Sequence, residues 1–244
     1  LNVLREPNRV WQNCIVVVDS TGNVLEVWDQ WNHLFEGDDG PGPHRIRISP
    51  YDPERRVWGS NETLNQIFVF SNDGRELVMT LGEKNIAGSD ETHFGRPQDV
   101  AFLPDGRVLV ADGLDNHRII IMDSQGNYLS EFGEFGDGPR QFNGIHALAI
   151  GPNGLIFALD RANGRVQVFR LTSDASGEYH PEVEHVDVWS GFGLPLDLIV
   201  NEEHVWVSDL RPLKLVKLDF DGNRFCLLYT SDAADERSSV DLGG

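Results

Sequence analysis

One turn recurs along this chain at steps of about 45–52 residues. It reads Asp19-Ser20-Thr21-Gly22-Asn23, then Asn72-Asp73-Gly74, then Ser124-Gln125-Gly126-Asn127, then Asp221-Gly222-Asn223, with a looser counterpart near Gly177. A second marker keeps a similar step: Val110-Ala111-Asp112, Ala158-Leu159-Asp160 and Val207-Ser208-Asp209, and more weakly Val57-Trp58-Gly59-Ser60. Short apolar or β-branched runs lie between the markers, closed by Gly, Asp and Asn, as antiparallel strands joined by tight turns require. The clearest unit is Phe94–Arg140, with strands expected over Asp99–Leu103, Val108–Ala111, Arg118–Met122 and Tyr128–Phe132. Four strands per unit at this period define a β-propeller. A two-sheet sandwich would not explain the spacing.

The other units follow in order. Cys14–Asp19 and Val24–Trp28 read as the outer strands of a first, incomplete blade, with Trp28 and Trp31 facing the next. His44–Ser49, Arg56–Gly59, Gln66–Ser71 and Glu76–Leu81 make a second blade, and Glu83–Arg96 a longer loop. After the clearest blade come Ile145–Ile150, Leu155–Leu159, Arg165–Leu171 and, past an insertion at Thr172–Pro181, Val186–Trp189. The last blade is Leu196–Val200, His204–Val207, Lys214–Asp219 and Arg224 onward. The expectation is an all-β, six-bladed propeller truncated to about four and a half blades. An unclosed ring leaves sheet edges exposed, so poor solubility is expected.

Net charge is −19, which argues against nucleic acid as a partner, because phosphates need a basic face. No apolar run approaches the roughly 20 residues that span a bilayer. The chain begins at Leu1 with no signal peptide to read; an extracellular or periplasmic location is expected over a cytoplasmic one, and a monomer over an oligomer.

The repeat breaks after Phe225. Cys226–Gly244 resembles, in frame, a translated adapter from transposase-based DNA sequencing, over Cys226–Asp235 and again over Val240–Gly244. Residues 1–225 are therefore expected to be the partial propeller and 226–244 a non-native tail. Setting the tail aside leaves Cys14 alone, with no internal disulfide.

The first strand of each blade lines the channel of a propeller. Those strands open Pro43-His44, Pro97-Gln98, Ile145-His146 and Pro195-Leu196, so the position reads His, Gln, His, Leu. In a six-bladed ring alternate blades stand about 120° apart. His44 and His146, with a third His two blades later, would form a tripod that leaves open positions, as catalytic zinc requires. The alternative is that each is a polar channel residue bonded to water or backbone. Asp112 and Asp160, with Asn116, Asn163, Arg118 and Arg165, read as loop-stapling residues. Arg161 follows Asp160 at the channel mouth, where a guanidinium can hold a carboxylate; the alternative is a solvated loop Arg. His93 reads as loop packing. Glu36-Gly37-Asp38-Asp39 offers oxygens of the kind calcium takes, but without a fixed-spacing ladder, so it reads as solvated. No nucleophile elbow, P-loop or Cys–His nucleophile pattern is present.

The run Pro97-Gln98-Asp99-Val100-Ala101-Phe102-Leu103-Pro104-Asp105-Gly106-Arg107 through Ala111-Asp112-Gly113 to Asn116-His117-Arg118-Ile119 resembles the NHL repeat. Segment order, including Gly42-Pro43-His44, His93-Phe94-Gly95-Arg96-Pro97, Ile145-His146 and Asp160-Arg161, is similar to the peptidyl-α-hydroxyglycine α-amidating lyase propeller. The resemblance implies zinc held by three His, two of them matching His44 and His146, and an active-site Arg matching Arg161. It implies a catalytic Tyr where this chain has Leu114, which has no proton-accepting atom. Two functions are therefore weighed: a non-catalytic NHL propeller binding a peptide, small molecule or protein on its loop face, and a metal-dependent lyase.

Overall fold

A computed structural model describes residues 10–173 and 179–229. Blade one is a half-blade of β1 (Val16–Val18) and β2 (Val24–Val27), followed by a 3₁₀ helix over Asp29–Phe35. Blade two comprises β3 (Pro43–Ile48), β4 (Val57–Asn61), β5 (Gln66–Phe70) and β6 (Leu77–Leu81). Blade three comprises β7 (Asp99–Phe102), β8 (Val108–Asp112), β9 (Arg118–Met122) and β10 (Tyr128–Phe132). A short parallel pair, β11 (Glu134–Phe135) and β12 (Gln141–Phe142), leads to blade four, made of β13 (Ile145–Ile150), β14 (Leu155–Asp160), β15 (Arg165–Ser173) and β16 (Tyr179–Ser190). Blade five is β17 (Pro195–Val200), β18 (Val205–Leu210), β19 (Leu213–Leu218) and β20 (Arg224–Tyr229). Within each complete blade, neighbouring strands pair antiparallel in sequence order.

This is the propeller expected from the repeat, with one difference. The stretch 172–181 is not simply an insertion loop: β15 and β16 extend into it, and Ser173 pairs with Tyr179. Each added pair in a hairpin satisfies further backbone donors and acceptors in the ladder. The outer strand expected from Arg224 onward is β20, where Cys226 pairs with Lys217 and Tyr229 with Lys214. Backbone pairing at an outer strand tolerates almost any side chain. Residues 230–244, and the turn counterpart near Gly177, lie outside the described residues.

The blades stack through their faces. Strands β5, β8, β9 and β14 are buried along their whole length, because blades cover both sides. Their sequences are accordingly continuous apolar runs rather than alternating ones. Trp58 joins Val100, Val110 and Ile120 between blades two and three, and Ile119 and Ile121 join Ile156 and Phe169 between three and four. Each such aliphatic side chain contributes about 1.5–3 kcal/mol on burial. Among the described residues no blade covers the two ends of the series, and there Val16, Val18, Ile46 and Ile48, and Ile199, Leu213 and Phe225, are exposed.

The recurring turn has one job at each blade junction. Asp19, Asp123 and Asp219 each accept hydrogen bonds from backbone N–H groups two and four residues ahead. Gly74 then sits against Trp28 of the previous blade, Gly126 against Leu81, and Gly222 against Trp189. Trp28 and Trp31 face blade two as expected, and Trp31 Nε1 donates to Gly74 O at 2.8 Å. Gly22 has φ +88° and open space around it, whereas a Cβ on Gly74 (φ +69°) would lie 2.1 Å from the Trp28 ring. Gly22→Ala is expected to cost about 1–2 kcal/mol for the backbone alone. Gly74→Ala should add a further ~1–3 kcal/mol of overpacking. Urea unfolding of both variants checks this; equal losses would remove the packing role assigned to Gly74.

Candidate functional site

The strand-end Asp residues are structural staples. Asp112 accepts from Arg118 Nε at 2.8 Å, Asn116 Nδ2 at 2.7 Å and Gly95 N at 2.6 Å. Asp160 repeats this with Arg165, Asn163 and Asn143 N. The guanidiniums reach on to loop carbonyls: Arg118 to Ser89, Asp90 and His93, and Arg165 to Asp137, Gly138 and Gln141. His93 packs in the first of these loops against Asp90, whose carboxylate raises its pKa. The acidic loop at 36–39 is a correction: it is not simply solvated. Asp38 is buried, accepting from Gly40 N and Asn61 Nδ2, so it ties that loop to the end of β4.

His44 and His146 come together. Their rings are 4.9 Å apart between centroids and nearly perpendicular, at 83°. His44 Nδ1 lies 2.9 Å from Gln98 O, and His146 Nδ1 lies 2.6 Å from Leu196 O. A carbonyl only accepts, so each Nδ1 carries a proton, which leaves Nε2 as the nitrogen with a lone pair whenever the ring is neutral. The alternation of His with Gln98 and Leu196 thus has a use. In each case the blade that follows supplies the carbonyl, Gln98 O just before β7 and Leu196 O in β17, that fixes the imidazole tautomer. Burial, then the neighbouring His44 and Arg161, push the His146 pKa down to about 4, so its ring is neutral at pH 7.

The His pair opens into a cavity of about 370 Å³ lined also by Pro41, Glu62, Arg96, Leu114, Asn143 and Arg161. Arg161 lines the same cavity as the two imidazoles. Its Nε is buried without a hydrogen-bond partner and its side chain forms no ion pair among the described residues. Burial lowers its pKa. Gln98 is fully buried and donates Nε2 to Glu62 Oε2 at 2.7 Å. Arg96 donates to Glu62 Oε1 at 2.9 Å.

Glu62 and Arg96 are the residues the sequence reasoning missed. Glu62 follows Asn61 at the end of β4 as Arg161 follows Asp160 at the end of β14, so the same repeat position delivers both to the cavity. The marker was hidden because blade two ends this strand in Asn61 rather than Asp. Below the His pair, Arg45 of blade two reaches Asp197 of blade five at 2.6 Å, and Arg47 pairs with buried Asp99 through two hydrogen bonds. These pairs draw the inner strands together under the cavity. Among the described residues, no group of three His, Cys, Asp or Glu side chains is close enough to hold a metal ion.

Comparison with known proteins agrees with this architecture. A family model described as a 6-bladed beta-propeller matches residues 86–196. A probable peptidyl-alpha-hydroxyglycine alpha-amidating lyase of Caenorhabditis elegans is 33% identical over 52% of this chain and 36% of its own length. NHL repeat-containing protein 3 of Homo sapiens is 29% identical over 64% of this chain and 44% of its own. The chain thus spans less than half the length of these curated relatives. The solved structure of virginiamycin B lyase from Staphylococcus aureus superposes with a TM-score of 0.60 at 12% identity, covering 88% of this chain and 62% of that one. This last likeness is one of fold alone. The chain is a β-propeller, and its sequence is related to the NHL-repeat and α-amidating lyase propellers. No helix among the described residues is long and apolar enough to cross a membrane.

Proposed function

We propose that the channel cavity binds a small ligand bearing a carboxylate, with zinc held by His44 and His146. The observation that carries this reading is the imidazole pair. Both rings are fixed through Nδ1 to backbone carbonyls, and both Nε2 atoms are uncommitted. That is the outer-shell arrangement that orients zinc-binding His. Two neutral imidazoles are a donor set zinc accepts, and the described residues supply two of the ligands it needs. Bound there, the metal would polarise a ligand oxygen. Arg161 is the counter-charge for the carboxylate, its buried Nε already desolvated and unpaired.

Zinc analysis of the purified wild type and of His44→Ala and His146→Ala tests the reading. Each substitution is expected to lower zinc affinity at least ~10-fold. Unchanged zinc content in both variants would sink it.

A second reading is favoured by the names of the relatives: lyase action on peptides ending in α-hydroxyglycine. Leu114 lines the cavity and offers no atom to accept a proton. Release of glyoxylate from an α-hydroxyglycine peptide is the assay, and turnover no greater than in a metal-free control would reject it.

A further inference from the structure

His44 lies on β3 and His146 on β13, strands of separate sheets, so no backbone ladder sets how far apart the imidazoles stand. Asp99, at the start of β7 in the blade between, supplies a link. It is wholly buried. Its Oδ1 accepts from Arg47 Nε at 2.9 Å and its Oδ2 from Arg47 Nη2 at 2.8 Å. Oδ2 also accepts from the Leu148 N–H at 3.1 Å, and Oδ1 from the Val100 N–H at 2.9 Å. Arg47 follows His44 by three residues on β3, and Leu148 follows His146 by two on β13. One carboxylate therefore grips both His-bearing strands. An ionised carboxylate has about four acceptor positions, and here every one is taken, so the group has no freedom to turn.

The fold does not ask for a charge at this place. The residue after the channel position reads Arg45, Asp99, Ala147 and Asp197 through blades two to five. Ala147 is as deeply buried as Asp99 and has no polar side-chain atom, so a blade packs without one. Burying a carboxylate costs free energy that its partners must offset, and exchanging a buried ion pair for apolar groups is often neutral or stabilising. Packing alone thus does not account for Asp99, but its neighbours do. Gln98, the preceding residue, gives the carbonyl that lies against His44 Nδ1. Arg45 Nε stands 3.7 Å from Asp99 Oδ1, and its Nη1 reaches Asp197, the residue after the carbonyl that lies against His146 Nδ1. The charged groups gather on the strands that hold the imidazoles and their carbonyls.

We propose that Asp99 is a positioning residue for the imidazole pair, fixing β3 against β13 and so setting the separation at which His44 and His146 meet one metal ion. The proposal rests on the zinc reading above for the identity of the metal. Binding groups need to be held within about 0.5 Å of their working geometry. A strand slip of that size, released by loss of the carboxylate, leaves each imidazole on its own carbonyl and spoils only the pair.

The test is zinc affinity, measured by competition with a chelator. The double variant Arg47→Met with Asp99→Leu removes both charges and keeps the apolar volume, so its melting temperature is expected to stay near that of the wild type. Its zinc affinity is expected to fall about 10- to 100-fold, the usual effect of losing an outer-shell partner. Arg47→Lys keeps the charge but cannot span both oxygens, and should lose affinity by a smaller factor. With cobalt in place of zinc, the visible absorption of both variants should differ from that of the wild type, since it reports the arrangement of ligands round the metal. In a His44→Ala background the double substitution should change zinc affinity little, because a single imidazole has no separation to set. Wild-type affinity and an unaltered cobalt spectrum in both variants would overturn the role of Asp99 and leave the zinc site standing. An equal loss with and without His44 would overturn it too, because general damage rather than spacing would be at work. A wild type that takes up no zinc overturns the zinc reading, and this inference with it.

Discussion

Arg165→Leu is expected to destabilise the chain by about 3–5 kcal/mol, the cost of breaking a buried ion pair from one side. Arg165 Nε is 2.7 Å from Asp160 Oδ2, and Asp160 is wholly inaccessible to solvent. The same guanidinium satisfies the carbonyls of Asp137, Gly138 and Gln141, which hold the connection between blades three and four. Without it the carboxylate keeps only Asn163, Gln167 and the Asn143 N–H, and these loop carbonyls lose their charged donor. A drop in melting temperature on the order of 10 °C follows for a domain of this size. The control is Arg170→Leu on the same strand. Arg170 pairs with Glu184 at 3.1 Å, but both are about half exposed, and such pairs contribute about 0–1 kcal/mol. Equal losses in the two variants would show that burial does not set the value of these pairs.

The second large effect is the acid sensitivity of the metal-free protein. His146 is buried beside His44 and Arg161, and its pKa is pushed down to about 4. An unfolded His binds its proton near pH 6.5. Between these values the unfolded chain holds a proton that the folded chain refuses, so stability falls as pH falls. The contribution is fully present above about pH 6.5 and is lost progressively below it, reaching about 2–3 kcal/mol at pH 4.5. His146→Asn should remove that slope. The measurement is the urea midpoint of wild type and variant at pH 7 and pH 4.5, with chelator present. Other groups titrate in both proteins, so the difference between the two slopes isolates His146. Parallel slopes would mean that the imidazole is not desolvated in the folded state.

Much of the blade architecture was legible because a propeller writes its period into its turns. Asp19, Asp123 and Asp219 recur because each turn needs an acceptor two and four residues back from its N–H groups. Gly74, Gly126 and Gly222 recur because a side chain there would enter the previous blade. The strand-end staples at Asp112 and Asp160 were readable for the same reason. The parts that escaped have no local rule. The parallel pair of β11 and β12 is two residues long in each strand, too short to leave a pattern. Asp38 read as solvated because four loop residues do not reveal that Asn61 will meet them.

The candidate site divides along the same line. His44, His146 and Arg161 were found from their positions in the repeat, since a residue's place within a blade fixes which end of the channel it reaches. Sequence alone determined that these three side chains belong to one face of a ring. Only the tertiary structure decided what they do to one another. The 4.9 Å between the imidazoles, the carbonyls of Gln98 and Leu196 that set their tautomers, and the pairing of Glu62 with Arg96 all join residues of different blades. Such contacts depend on how blades rotate against each other around the channel. That rotation is set by the packing of whole sheet faces, and no short stretch of sequence encodes it.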